Sequence, residues 1–265
     1  EMCIRDRNVD SKQKLKQKWN GRQRGWMIFS CVVAVVIVLS TIGLRHSHFF
    51  ETGESHALET IRALTGNRAV ASVEDTEEIA RREKLFWSTR QDYHAMQGWL
   101  ILPGTMVDYP VMHTAQEDYY ADHSYDGQSD VYGALFLDAE NADDFSDPLS
   151  VIYGHDMRNE TMFGDLPKYL QPSYFQTYTD GILILESGTT SLQIVACLMM
   201  ENEELRRQMK EAKNGTSWLD PLIAQAVQKR DVEVSDSDHF VAMTTLEYTE
   251  DNQEPVVLLA RVVPA

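Results

Sequence analysis

A chain of 265 residues with 43% hydrophobic residues is long enough for one main domain and an appendage. Its formal charge of -17 is unevenly spread: residues 1–25 carry eight Lys or Arg against three acids, and the remainder carries sixteen against 38. So acidic a body excludes nucleic-acid binding, which needs Lys and Arg clustered against phosphates.

Residues 1–25 read as a basic cytoplasmic tail; residues 1–7, with no methionine at position 1, are compatible with an assembly scar and carry no weight. Residues 26–44 hold no charge and have a Val/Ile-rich centre. At ~1.5 Å per residue such a helix crosses roughly 30 Å of hydrocarbon, which predicts a single transmembrane anchor. A cleaved signal peptide is the competing reading, but the run is longer than a typical signal core and no A-x-A-like site follows it. Lys12, Lys14, Lys16, Lys18, Arg22 and Arg24 precede the span, so the N-terminus stays cytoplasmic and everything after Arg45 is extracytoplasmic. Of three cysteines, Cys3 falls in the tail and Cys31 in the span. Cys197 alone lies beyond them, so no internal disulfide can form there and stability rests on the core.

After a linker at residues 45–54, Leu58, Ile61 and Leu64, then Ile79, Leu85 and Phe86, recur at helical spacings. They predict two N-terminal helices within residues 55–96, separated by Gly66-Asn67. Asp75 or Thr76 caps the second, and Glu77 and Glu78 stand in its first turn. From residue 97 to 265 the rhythm changes to short apolar runs at 98–102, 107–111, 132–137, 149–153, 182–185, 192–200, 240–243 and 256–263, bounded by Pro and Gly. Seven or eight such strands are too many and too short for a doubly wound sheet, and predict a mostly β fold closed into a barrel. Short helices at 162–169 and 172–178 and longer amphipathic ones at 201–213 and 218–230 interrupt the strands; insertions of that size shape binding faces. Asp138, Glu140, Asp143, Asp144 and Asp147 lack EF-hand spacing and read as a solvated acidic loop. No His/Cys pair has zinc-ligand spacing, and nothing in the chain requires a metal or cofactor.

The stretch Val151-Ile152-Tyr153-Gly154-His155-Asp156-Met157 carries the chemistry: a strand-like run that breaks at a glycine and presents a histidine as the chain leaves the strand. Together with Gly98-Trp99-Leu100, Val107-Asp108-Tyr109-Pro110-Val111, Glu117-Asp118-Tyr119-Tyr120, Tyr132-Gly133-Ala134-Leu135-Phe136-Leu137-Asp138 and Met162-Phe163-Gly164-Asp165-Leu166, in that order and spacing, it resembles class B sortases over about residues 55–265. The resemblance implies an eight-stranded barrel with N-terminal helices on the outer face of a Gram-positive membrane. It also implies a cysteine transpeptidase that cleaves a sorting signal and transfers the protein to an amine of the cell wall or a pilin. That chemistry uses a thiolate to attack, a histidine to move protons and an arginine to steady the oxyanion.

His155 matches the family histidine; the other two positions depart from the pattern. The family cysteine ends a strand in a Thr-Leu-x-Thr-Cys pattern, and the strand ending Thr244-Thr245 places Leu246 there. A competing register puts Thr249 at that place, but the first aligns Tyr248 and leaves an ordinary loop before the last strand. The arginine opening the final strand is replaced by Glu254 or Pro255, and Arg261 stands about five residues further on, roughly 17 Å along a strand. Cys197 sits in a continuous apolar run typical of a buried strand, where thiols are inert.

These departures imply a catalytically degenerate pseudo-sortase that binds a sorting-signal peptide or a cell-envelope component. Two alternatives stay open: an active transpeptidase using Thr244, Thr245 or Thr249, or sequence errors at 246 and 254.

Overall fold

The apolar runs of the body pair into strands that close on themselves. The computed structural model describes residues 55–66, 68–246 and 254–263, which fall in one compact unit, Glu54–Ala265. The tail, the span at 26–44, the linker and Thr249 lie outside the described residues. Among those described, no helix is long and apolar enough to cross a membrane.

Helices α1 (His56–Thr65) and α2 (Thr76–Arg90) come first. The Ser55 hydroxyl caps α1 by accepting from Leu58 N at 3.2 Å, and Gly66 ends it in the left-handed region at φ 66°. Asp75 caps α2 by accepting from Glu78 N. Arg82 of α2 is fully buried; it binds the Asp108 carboxylate at 2.7 Å, which also accepts from the Trp99 indole at 2.7 Å. A guanidinium so placed ties the helix to the barrel, because it cannot be left unpaired.

The strands are β1 (Met96–Ile101), β2 (Asp108–Met112), β3 (Leu135–Leu137), β4 (Leu149–His155), β5 (Asp180–Leu185), β6 (Gly188–Met199), β7 (Gln228–Lys229), β8 (Phe240–Leu246) and β9 (Val256–Val263). Eight of them form the ring β5-β1-β2-β3-β4-β8-β9-β6, closed by pairing of β5 with β6, and β7 hangs on the outside of β6. The β2–β3 and β4–β8 pairs are parallel and the rest antiparallel. Six of the seven residues of β4 and of β8, and Val256–Ala260 of β9, are buried, so both faces of these stretches are covered. The helices between strands are α3 (Pro172–Thr177), α4 (Asn202–Ala212), which packs on β4, and α5 (Leu219–Ala224).

Four local expectations change. The helix expected over 218–230 ends after Ala224, because the chain then lies along β6: Val227 N donates to Cys197 O and Arg230 N to Val195 O, both at 2.9 Å. The helix expected over 162–169 is only a 3-10 turn, Leu166–Leu170. Gly164 just before it packs so closely on the Met157 carbonyl that a Cβ would stand 2.2 Å away. The strand expected from 132 begins at Leu135, since Gly133 turns at φ 59° beside the Tyr120 carbonyl. The acidic loop is not simply solvated: Asp138 is buried and paired, and Asp147 accepts from Asn141 and Ala142 at 2.8 Å.

Candidate active site

Parallel pairing of β4 with β8 brings the ends of two distant segments to the same rim. The register sets Tyr153 against Thr244, Gly154 against Thr245 and His155 against Leu246. Gly154 is required by crowding, as a Cβ there would stand 2.4 Å from Leu135 Cδ2 and 2.8 Å from Phe163. Residues paired across a ladder point to the same face, so Leu246 is the β8 side chain delivered beside the imidazole. It is partly buried and packs against the core.

The imidazole of His155 is already engaged. Its Nε2 stands 2.6 Å from the Ala121 carbonyl oxygen. A carbonyl can only accept, so Nε2 carries the proton. Burial pushes the His155 pKa below its ordinary value, while the Ala121 carbonyl and the charges of Asp122 and Asp130 pull the other way without reversing it. The ring is therefore neutral near pH 7, with its donor pinned to backbone.

Neither threonine replaces a thiol. Thr244 shares the face of His155, but its hydroxyl donates to Asn202 Oδ1 at 2.8 Å, and Asn202 in turn donates to Thr245 O at 3.2 Å. Thr245 points to the other face, where its hydroxyl accepts from Val256 N at 2.9 Å. Both are buried. Glu254 is exposed just ahead of β9, and the Pro255 carbonyl accepts from Met200 N at 3.0 Å. Arg261, at the far end of β9, is spent on Gln193 Oε1 at 2.6 Å and Glu233 O at 2.7 Å.

Cys197 is fully buried in β6, and burial pushes its thiol pKa up to about 12. It shares a row with Ile152, Met243 and Leu258, three strands removed from β4, which is ~14 Å at ~4.8 Å per strand. The structure does not bring it to His155.

One group that sequence reasoning missed stands above this rim. Arg206 of α4 donates from Nε to Asp138 Oδ2 and to the Tyr153 hydroxyl, each at 3.0 Å. Its Nη1 meets Glu117 at 2.6 Å and its Nη2 meets Asp118 at 3.2 Å. Burial raises the Tyr153 pKa, so the phenol stays protonated and donates to Asp138 at 2.9 Å. Three carboxylates more than cancel one guanidinium, so Arg206 is no free cation for an oxyanion. The only trace of it in the sequence is the four-residue spacing of Asn202 and Arg206 along the expected helix at 201–213. Among the described residues, no group of three or more His, Cys, Asp or Glu is arranged to hold a metal.

No family model matches the chain. It is 28% identical to sortase B of Listeria monocytogenes over 163 residues, 60% of this chain but only 65% of that protein's length. It is 24% identical to sortase B of Staphylococcus aureus over 213 residues, 72% of this chain and 87% of that protein. Among solved structures, a mutant form of Clostridium perfringens sortase B superposes with a TM-score of 0.65 at 22% identity, covering 80% of this chain and 99% of that one. A Staphylococcus aureus sortase B–substrate complex does so with a TM-score of 0.60 at 20% identity, covering 73% and 100%. In its barrel order and in these relatives, the chain is similar to class B sortases.

Proposed function

We propose that this chain is a pseudo-sortase: a domain tethered to the membrane by residues 26–44, held on the extracytoplasmic side, that binds a sorting-signal peptide or another cell-envelope component without transpeptidation. The observation that carries the reading is Leu246 standing in register beside a His155 whose Nε2 is bonded to Ala121 O. A leucine cannot attack a carbonyl, and a neutral imidazole with its donor committed is poorly placed to protonate a leaving amine. The substrate complex of the staphylococcal relative supports a peptide as the kind of partner this fold accommodates. The basic residues before the span support the assigned orientation.

The test is titration of the full chain with fluorescent sorting-signal peptides, alongside a cleavage assay. Saturable binding is expected, with turnover about 10⁶-fold below that of an intact cysteine transpeptidase. Cleavage at an ordinary sortase rate would overturn the pseudoenzyme; no binding of any sorting signal would remove the peptide from its function.

A further inference from the structure

We infer that Arg206 is a positioning residue that holds the β2–β3 connection, residues 113–134, closed across the His155 imidazole, so that peptide access to the rim is set by the Arg206 ion pairs. This rests on the reading of the rim as a peptide site. The connection leaves β2, passes Glu117 and Asp118, and forms a 3-10 turn at Tyr119–Ala121 whose last carbonyl caps His155 Nε2. Arg206 grips that turn from the side. One end of the guanidinium is fixed to Asp138 and Tyr153, and the other reaches Glu117 and Asp118 immediately before the turn.

Two further features show that the turn is held rather than relaxed. Asp118 sits at φ 54°, in the left-handed region that aspartate tolerates better than most residues but that is uncommon outside glycine, and there its carboxylate meets Arg206 Nη2. The far limb of the connection is fastened separately, through Asp130 to the Ser55 hydroxyl and through the Tyr125 ring, whose centroid lies 5.2 Å edge-on from that of Tyr93. The Arg206 side chain is 28% exposed, with Glu117 at 66% and Asp118 at 54%, so these pairs are screened by salt, whereas the Asp138 end, only 4% exposed, is not. The arrangement is a fixed hinge with a salt-sensitive catch.

The experiment uses the full chain and maps diethyl pyrocarbonate modification of His155 by mass spectrometry. Wild type is compared with Arg206→Gln and with the double variant Glu117→Gln/Asp118→Asn, which spares the buried Asp138 end if Arg206→Gln fails to fold. Modification of His155 is expected to speed up about fivefold in the double variant, the scale on which surface ion pairs act. It is also expected to rise with ionic strength in wild type but not in the double variant, a salt response that a merely structural role would not produce. Unchanged His155 reactivity in a folded double variant would overturn the inference. Faster modification with no peptide bound by any form would instead sink the peptide reading and leave the catch standing. Peptide binding by wild type, indifferent to both salt and the variants, would do the reverse.

Discussion

The wall formed by β6 and β9 and the rim where β4 and β8 end are built on opposite principles. In the wall, Cys197 and Leu258 face each other in a fully buried row, and a thiol there is a small apolar filler. At the rim, His155, Thr244, Asn202, Tyr153 and Arg206 are polar, and each has been given an internal partner. The body's one cysteine is sealed in the wall, and the imidazole at the rim has its Nε2 bonded to the Ala121 carbonyl. The polar groups at the rim are thus absorbed into hydrogen bonds while the wall beside them is packed as ordinary core.

The sharpest way to break this contrast is thiol reactivity. Cys197, its pKa pushed from 9.0 up to about 12, carries ~10³-fold less thiolate than an ordinary cysteine at neutral pH. Iodoacetamide should label it only on unfolding, whereas a cysteine introduced by Leu246→Cys, at the partly buried rim, should label in the folded chain. Fast native labelling of Cys197, or a buried and inert cysteine at 246, would erase the distinction between wall and rim.

Packing should follow the same division. Leu258→Ala, in the fully buried wall, is expected to lower the unfolding free energy by about 2–5 kcal/mol, and Leu246→Ala, at the partly buried rim, by less than half as much in urea titrations. Tyr153→Phe should cost a further, smaller amount, about 1–2 kcal/mol, because it leaves Asp138 and Arg206 each short of one bond.

The smallest effect is a pH dependence. The folded pKa of His155 is depressed, so the unfolded chain binds the proton more readily. Stability is fully present above the unfolded value of about 6.5 and is lost as pH falls through the folded one. Thermal unfolding followed from pH 7.5 to 5 should show this loss in wild type and less of it in His155→Gln. An equal slope in both would mean that the rim contributes nothing to it.

The barrel was legible because its strands are short apolar runs, most of them bounded by Pro or Gly, and His155 and Leu246 were placed by family motifs that the ladder then brought into register. The helix after Leu219 was overextended because the amphipathic pattern continues through Val227, whereas the backbone there is drawn into pairing with β6. Asp138 was read as solvated because four other acids follow it within nine residues, and no spacing could announce that Arg206, 68 positions on, lies across it. The Ala121 carbonyl was illegible for a more general reason: a backbone acceptor has no signature in residue type.

The parallel ladder between β4 and β8 makes the location of a side chain at 246 a property of the backbone alone. Whatever residue is encoded there is carried to the same socket next to the ring. Substitution therefore changes which side chain meets the ring without changing where it meets it, which makes the scaffold a reusable mount.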